Sequence, residues 1–257
     1  MLCASQAPEL RPKDVANLFW AVAKLNLHDA PLQAAMSAEV RRRLRDFDEQ
    51  ELSNIAWAYA ACVWREAPLL VTVTEHVEEK VHPATALHDL ASLAWSFAKL
   101  AFSHPRLMAR ISGAARDRLT ELEPRWLGNL AWAFAVLLVE TAPLVGAMAQ
   151  RLTETRLSTK TPETLSNLLW AMATLLVAHG PVVGAVATEA AEKLSQFSPR
   201  KLSNLAWAFA ALRVADAPLW RRAAEAARAA LPSASPQELA NMAWAFAQRG
   251  VAFDQLQ

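Results

Sequence analysis

Seven tryptophans recur at a nearly constant interval, and no other feature of the chain constrains its fold as strongly. Trp20, Trp57, Trp95, Trp132, Trp170, Trp207 and Trp244 stand 37 or 38 residues apart, inside the range of roughly 20–50 residues that marks stacked supersecondary units. Each lies in a related segment, such as LSNIAWAYA, LASLAWSFA, LGNLAWAFA, LSNLLWAMA, LSNLAWAFA and LANMAWAFA. The chain is therefore read as a tandem array of one unit, and the local pattern of that unit sets the architecture.

Proline punctuates the unit twice. Eight positions before the tryptophan stand Pro12, Pro124, Pro162, Pro199 and Pro236, preceded in three repeats by Thr161, Ser198 or Ser235. Asp48 holds the same preceding place in the second repeat. These are N-cap and first-turn signals of a helix, because the cap oxygen satisfies an orphan N–H and proline has none to satisfy. Eleven positions after the tryptophan come Pro31, Pro68, Pro143, Pro181 and Pro218, with Pro105 one residue early, so a second helix starts there. Each unit is a helix of about 13 residues, a short turn and a second helix of similar length that often ends in basic residues such as Arg41, Arg42 and Arg43. The expected fold is all-α: a right-handed α-solenoid of about seven helix–turn–helix repeats starting near residues 12, 49, 87, 124, 162, 199 and 236. The array is expected to run over 12–257, with 1–11 a tail or the end of a preceding repeat, and both ends are expected to be cuts through a longer protein.

The first helix divides into columns when successive residues are turned by roughly 100°. Offsets −5, −2, −1, +2 and +5 from the tryptophan are mostly apolar and form a core stripe, with small residues at −4 and +3 (Ser53, Gly128, Ala173, Ala210) where neighbouring helices approach. The tryptophan lies at the edge of the stripe. A repeated aromatic at helical spacing is expected to be inter-repeat core rather than a stacking surface for bases.

Offsets −7, +4 and −3 project together on the side of the tryptophan away from the core. The −3 column is nearly constant: Asn17, Asn54, Ser92, Asn129, Asn167, Asn204 and Asn241. An amide repeated at one height along a solenoid suits a structural ladder. The −7 column (Lys13, Gln50, His88, Arg125, Glu163, Arg200, Gln237) and the +4 column (Lys24, Ala61, Lys99, Val136, Thr174, Ala211, Gln248) vary instead. Variation is what a modular reader of ligand units requires, and it is also what an unconstrained solvated face displays.

Composition agrees with helices and excludes several classes. Apolar residues make up 54% of the chain and glycine only 6 residues of 257, which favours packed helices over turn-rich sheet. With 26 basic against 25 acidic residues, any basic surface is local. Cys3 and Cys62 form no CxxC pair and fit a reducing compartment or an organelle matrix. The run LAWAFAVLLV at 130–139 is closed by Glu140, short of the roughly 20 residues that cross a bilayer, so no membrane span is expected. His76, His82 and His88 are six apart and do not align as metal ligands on a helix, while His28, His104 and His179 fall in turns as solvated or capping groups. Glu75 and Glu78 read as helix-surface charge, and no metalloprotease, phosphate-loop or nucleophile-elbow motif occurs, so neither catalysis nor a cofactor or metal is expected.

The LSNLAWAFA-type helix, its Ser/Thr-Pro start and the 37–38-residue period resemble octotricopeptide-type repeats and the related helical regions of RAP-domain and FAST-kinase-like proteins, over residues 12–249. They are also similar to the helical subunits of the kinetoplastid RNA-editing substrate-binding complex. Ser92 in place of Asn, and Glu49 and Leu87 in place of the helix-starting proline, depart from the pattern. The resemblance implies a non-catalytic, RNA-binding helical-repeat protein of mitochondria or plastids, acting in RNA processing, editing, stability or translation within a ribonucleoprotein complex. The RAP domain of many such relatives and the targeting segment are both expected to be missing from this chain, a cytoplasmic location being the alternative.

On that implication a single RNA strand runs along successive first helices. Lys13, Lys24, Lys99, Arg125 and Arg200 meet phosphates, while Gln50, His88, Gln237 and Gln248 meet base edges. Other subunits of an RNA-processing complex are expected as partners. The competing expectation is a protein-binding scaffold, since the same hairpin stacking builds peptide grooves.

Overall fold

The computed structural model describes residues 10–64, 67–82, 84–139, 142–154, 160–177 and 180–250. The proposed tail before residue 10, with Cys3, and also Glu140, His179 and the last seven residues lie outside them. The described residues are all-α, without a strand. First helices are α1 (Pro12–Lys24), α3 (Glu49–Ala61), α5 (Leu87–Lys99), α7 (Pro124–Val136), α9 (Pro162–Thr174), α11 (Pro199–Ala211) and α13 (Pro236–Gln248). They alternate with second helices α2 (Ala30–Arg42), α4 (Ala67–Lys80), α6 (Pro105–Arg116), α8 (Ala142–Glu154), α10 (Gly180–Glu192) and α12 (Ala217–Ala230).

These helices fall into two compact units, one up to Arg118 and one from Leu119. In the first, α1 packs on α3 and α3 on α5, while α2, α4 and α6 stack behind them. In the second, α7, α9, α11 and α13 stack in order, backed by α8, α10 and α12. This is the α-solenoid arrangement, in which a hairpin buries its apolar faces only against its neighbours.

Helix starts follow the caps in the sequence. Thr161, Ser198, Asp29 and Asp216 accept hydrogen bonds from backbone N–H groups three residues on. Asp48 with Glu51, and Ser235 with Glu238, form full capping boxes. The capping box explains why α3 starts at Glu49 without a proline. His104 caps α6 through Nδ1, which accepts from the Leu107 N–H at 3.2 Å.

Every first helix ends in the same way. The residue six past the repeat tryptophan has a positive φ: Asn26, Val63, Ala101, Leu138, Leu176, Arg213 and Gly250. In the first six repeats the next N–H then bonds back to the carbonyl of the core residue at +2, as in Val177 N–H to Met172 O at 2.8 Å and Val214 N–H to Phe209 O at 2.9 Å. This is a Schellman closure, and only Gly250 occupies its left-handed position without a Cβ penalty.

The aromatic core is the +2 column. Tyr59, Phe97, Phe134, Phe209 and Phe246 are wholly buried, with Met172 taking the same place in the fifth repeat. The Tyr59 hydroxyl, sealed from water, is satisfied by the Ser37 hydroxyl on α2. Small −4 residues let first helices close on one another: a Cβ on Gly128 would stand 3.4 Å from the Thr164 backbone. Ser53 and Ser166 at the same offset donate to the Asp89 and Lys201 carbonyls of the next helix, at 3.2 and 3.3 Å.

A cation closes most hairpins. Arg43, Lys80, Arg118 and Lys193, each at or just past the end of a second helix, donate to the carbonyls of Leu10, Phe47, Thr85 and Lys160 at 2.6–2.9 Å. Each acceptor lies 33 residues earlier, two residues before the first helix of the same repeat. The charge therefore ties the hairpin's two ends together and sits where the helix dipole favours it. Ala230 has this place in the sixth repeat and supplies no side-chain donor there.

Candidate functional site

The repeat tryptophans are not core residues. Trp20 and Trp244 are 47% and 43% exposed, and Trp57, Trp95, Trp132, Trp170 and Trp207 are half-buried. Two residues of separation turn the tryptophan roughly 200° from the buried +2 aromatic, so the larger ring points away from the core stripe. In the second unit the tryptophans contact one another from repeat to repeat: Trp132–Trp170, Trp170–Trp207 and Trp207–Trp244 have centroids 6.5, 6.4 and 6.3 Å apart and planes tilted by 31–40°. They form a surface ladder.

The first unit uses its tryptophans differently. Lys24 Nζ lies 5.4 Å from the Trp20 centroid and 5.2 Å from that of Trp57, so an ammonium bridges two neighbouring rings.

Beside the ladder runs the polar strip. Its −7, −3 and +4 residues open, together with the tryptophans, on one groove of about 350 Å³ within the second unit. Trp132, Trp170, Val136, Arg200, Asn204, Gln237 and Asn241 line it. Asn204 and Asn241 make no side-chain hydrogen bond, and the exposed Arg200 guanidinium makes no ion pair, among the described residues. The groove thus offers indole surface, three amides able to donate and accept, and a cation, beside the Glu238 carboxylate that accepts from the Ser235 N–H.

The remaining strip residues are distributed less evenly. Asn167 Nδ2 donates to Asn129 Oδ1 at 3.5 Å, and Asn167 Oδ1 accepts from Lys201 Nζ at 3.2 Å. Lys201 also pairs with Glu163 at 2.8 Å, which closes the strip there with a neutral cluster. Arg125 lies 4.6 Å from the Trp126 centroid and pairs with Glu123 at 3.2 Å. In the first unit Lys13, Asn17 and Gln50 are exposed, and Asn54 and Lys99 are half-buried. His88 Nε2 stands 3.4 Å from the Asp89 carboxylate, whose pKa burial raises above the ordinary carboxylate range against the pull of His88. Gln248 ends α13, exposed.

A second basic patch, Arg41 to Arg45, borders a cavity of about 540 Å³ in the first unit. Its charge is largely answered: Arg42 and Arg43 bind Glu39 at 2.6 and 3.1 Å, Arg43 binds Asp46 at 3.1 Å, and Glu75 and Glu79 line the same cavity. No group of three or more metal-ligating side chains is found among the described residues, and no described helix is long and apolar enough to cross a membrane.

The role of the tryptophans was hidden in the sequence because helical projection places them at the stripe's edge, where burial depends on the neighbouring repeat. The family model described as RNA-editing substrate-binding complex 6 protein matches residues 4–257 of the chain. No curated protein matches it.

Proposed function

The chain belongs to the RNA-editing substrate-binding complex 6 family, and on that premise we propose that it is a non-catalytic subunit of an RNA-editing complex that binds single-stranded RNA along its first helices. The observation that carries this reading is the groove of the second unit, where Arg200, Asn204, Gln237 and Asn241 meet the tryptophan ladder. A cation positions a phosphate, and unpaired amides recognise what a single strand leaves exposed: base edges and sugar hydroxyls. In the first unit Lys13, Lys99, Gln50 and His88 extend the same role, with Lys24 contributing charge at the ring pair. The varied −7 and +4 columns, set against the nearly constant Asn column, support a reading of one RNA unit per repeat. We assign the protein to the mitochondrion; nothing supports the plastid alternative.

The test is RNA binding by the full chain at two salt concentrations. Affinity is expected to fall steeply with salt, and to fall further in the joint Lys24, Lys99, Arg125 and Arg200 to Ala variant at unchanged helicity. Equal binding by that variant rejects the strip.

One observation favours a scaffold role beside RNA binding. Leu138 and Leu176, at the hairpin turns of the second unit, are 74% and 84% exposed although both hold a left-handed backbone. A row that accepts both solvent exposure and strain suits contact with another subunit.

A further inference from the structure

Three features stand outside the reading above: the exposed leucines of the turns, the basic cavity at Arg41 to Arg45, and the tryptophan ladder. Nothing on the leucine row identifies its occupant, and the basic cavity is offset by its own carboxylates. The ladder carries an inference.

We infer that Trp132, Trp170, Trp207 and Trp244 form a stacking platform on which consecutive unpaired bases of one RNA strand lie, one base per repeat. This deepens the RNA reading and rests on it. Several observations converge. Trp244 is 43% exposed and the other three rings are half-buried, outside a core that the wholly buried +2 column already fills. The tryptophan centroids step by 6.3–6.5 Å with planes tilted by 31–40°, so the rings present a continuous row of aromatic surface along the helices rather than a closed stack. Among the described residues none of the four indole N–H groups donates to the protein, whereas the buried Trp220 Nε1 donates to the Val214 carbonyl at 2.9 Å. The four indole donors are therefore without a protein partner among the described residues. Trp132 and Trp170 also form part of the wall of the 350 Å³ groove, with Arg200 in the same lining.

The first unit shows what the site accepts. There the space between two rings is taken by Lys24, a cation held by their π faces. In the second unit the residues at that offset are Val136, Thr174, Ala211 and Gln248, and among the described residues no cation lies over the four rings. Base stacking is tolerant of sequence because every base has a π face. The ladder therefore grips the strand, and discrimination is left to Asn204, Gln237 and Asn241 beside it.

The experiment uses the full chain, a 15-nucleotide oligouridylate, and the same strand with its bases removed, followed by tryptophan fluorescence and by anisotropy. The intact strand is expected to quench the tryptophans and to bind at least tenfold more tightly than the abasic one. Trp170→Leu and Trp207→Leu are each expected to weaken binding roughly tenfold, with Trp207→Phe recovering most of the loss. Equal binding of the two strands by the wild type overturns the platform, whatever the variants do to folding. If the arginine and lysine substitutions of the previous section abolish binding while the leucine variants and the abasic strand bind normally, the strip stands and the platform falls. If the wild type binds neither strand at low salt but captures a protein partner, both readings fall.

Discussion

The two units present the same column of tryptophans in two chemical states. In the first, Lys24 bridges Trp20 and Trp57, so the π faces are occupied by the protein's own cation. In the second, Trp132, Trp170, Trp207 and Trp244 contact one another in order across four successive repeats, and Trp132 and Trp170 border a polar groove. The backbone of the unit is the same in both. The difference at these rings comes from one offset, where Lys24 stands at the first pair while valine, threonine, alanine and glutamine stand in the second unit. A solenoid can thus keep its core constant and change what its face offers with single substitutions, because that face carries little of the folding free energy.

The sharpest way to break this comparison is through the core. Phe97→Ala in the first unit and Phe209→Ala in the second should each cost about 3–5 kcal/mol, since both rings are wholly buried. Urea denaturation is expected to show similar losses for both, and Trp207→Leu should cost clearly less than either. A tryptophan variant as damaging as the phenylalanine ones would make the ladder part of the core.

Hairpin ties differ between the units next. Lys80→Ala removes the donor to the Phe47 carbonyl and should lower stability by about 1–3 kcal/mol. The sixth repeat invites the reverse experiment: Ala230→Lys places a cation within one repeat of the Phe197 carbonyl and should add about 1 kcal/mol. Thermal unfolding reads both, and a destabilised A230K variant would show that this hairpin is closed by other means.

The turns come third. Leu176→Gly relieves a left-handed backbone at a side chain 84% exposed and should raise stability by about 1 kcal/mol. If the exposed leucines hold another subunit, the same variant should weaken assembly while stabilising the chain, a split visible by comparing melting temperature with co-purification.

The smallest effect is electrostatic and belongs to the first unit. The Asp89 carboxyl has a folded pKa above its unfolded one, because burial disfavours the charge. It therefore costs stability at pH values above that folded pKa, and the cost disappears as pH falls below the unfolded value. Asp89→Asn should stabilise the chain slightly at neutral pH and remove this part of the pH slope, measured by urea midpoints between pH 4 and 7.

Most of the framework was legible in the sequence, and for local reasons. Pro162 after Thr161, or Pro236 after Ser235, fixes a helix start through its own cap, whatever the neighbours do. The apolar stripe was legible because its period is that of the helix. What stayed hidden depends on contacts between repeats. Whether Trp170 is core or surface is decided by how Trp132 and Trp207 lie against it, and a helical projection contains no neighbour. Arg43 and Lys80 read as ordinary basic helix ends, although each reaches back 33 residues to a carbonyl. The left-handed turn was silent because Val63, Leu138 and Leu176 stand where glycine would have announced it. The Asn column is uneven in the same way: Asn167 is bonded on both sides of its amide, while Asn204 and Asn241 face the groove.

The central claim is that single-stranded RNA lies on the first helices of the second unit. Photo-crosslinking a 5-iodouridine-substituted strand to the full chain, with the attachment points mapped by mass spectrometry, tests it directly. The account predicts adducts on Trp132, Trp170, Trp207 and Trp244 and on peptides carrying Arg200 and Asn241. Adducts confined to α8, α10 and α12, or to the Arg41–Arg45 patch, would contradict it.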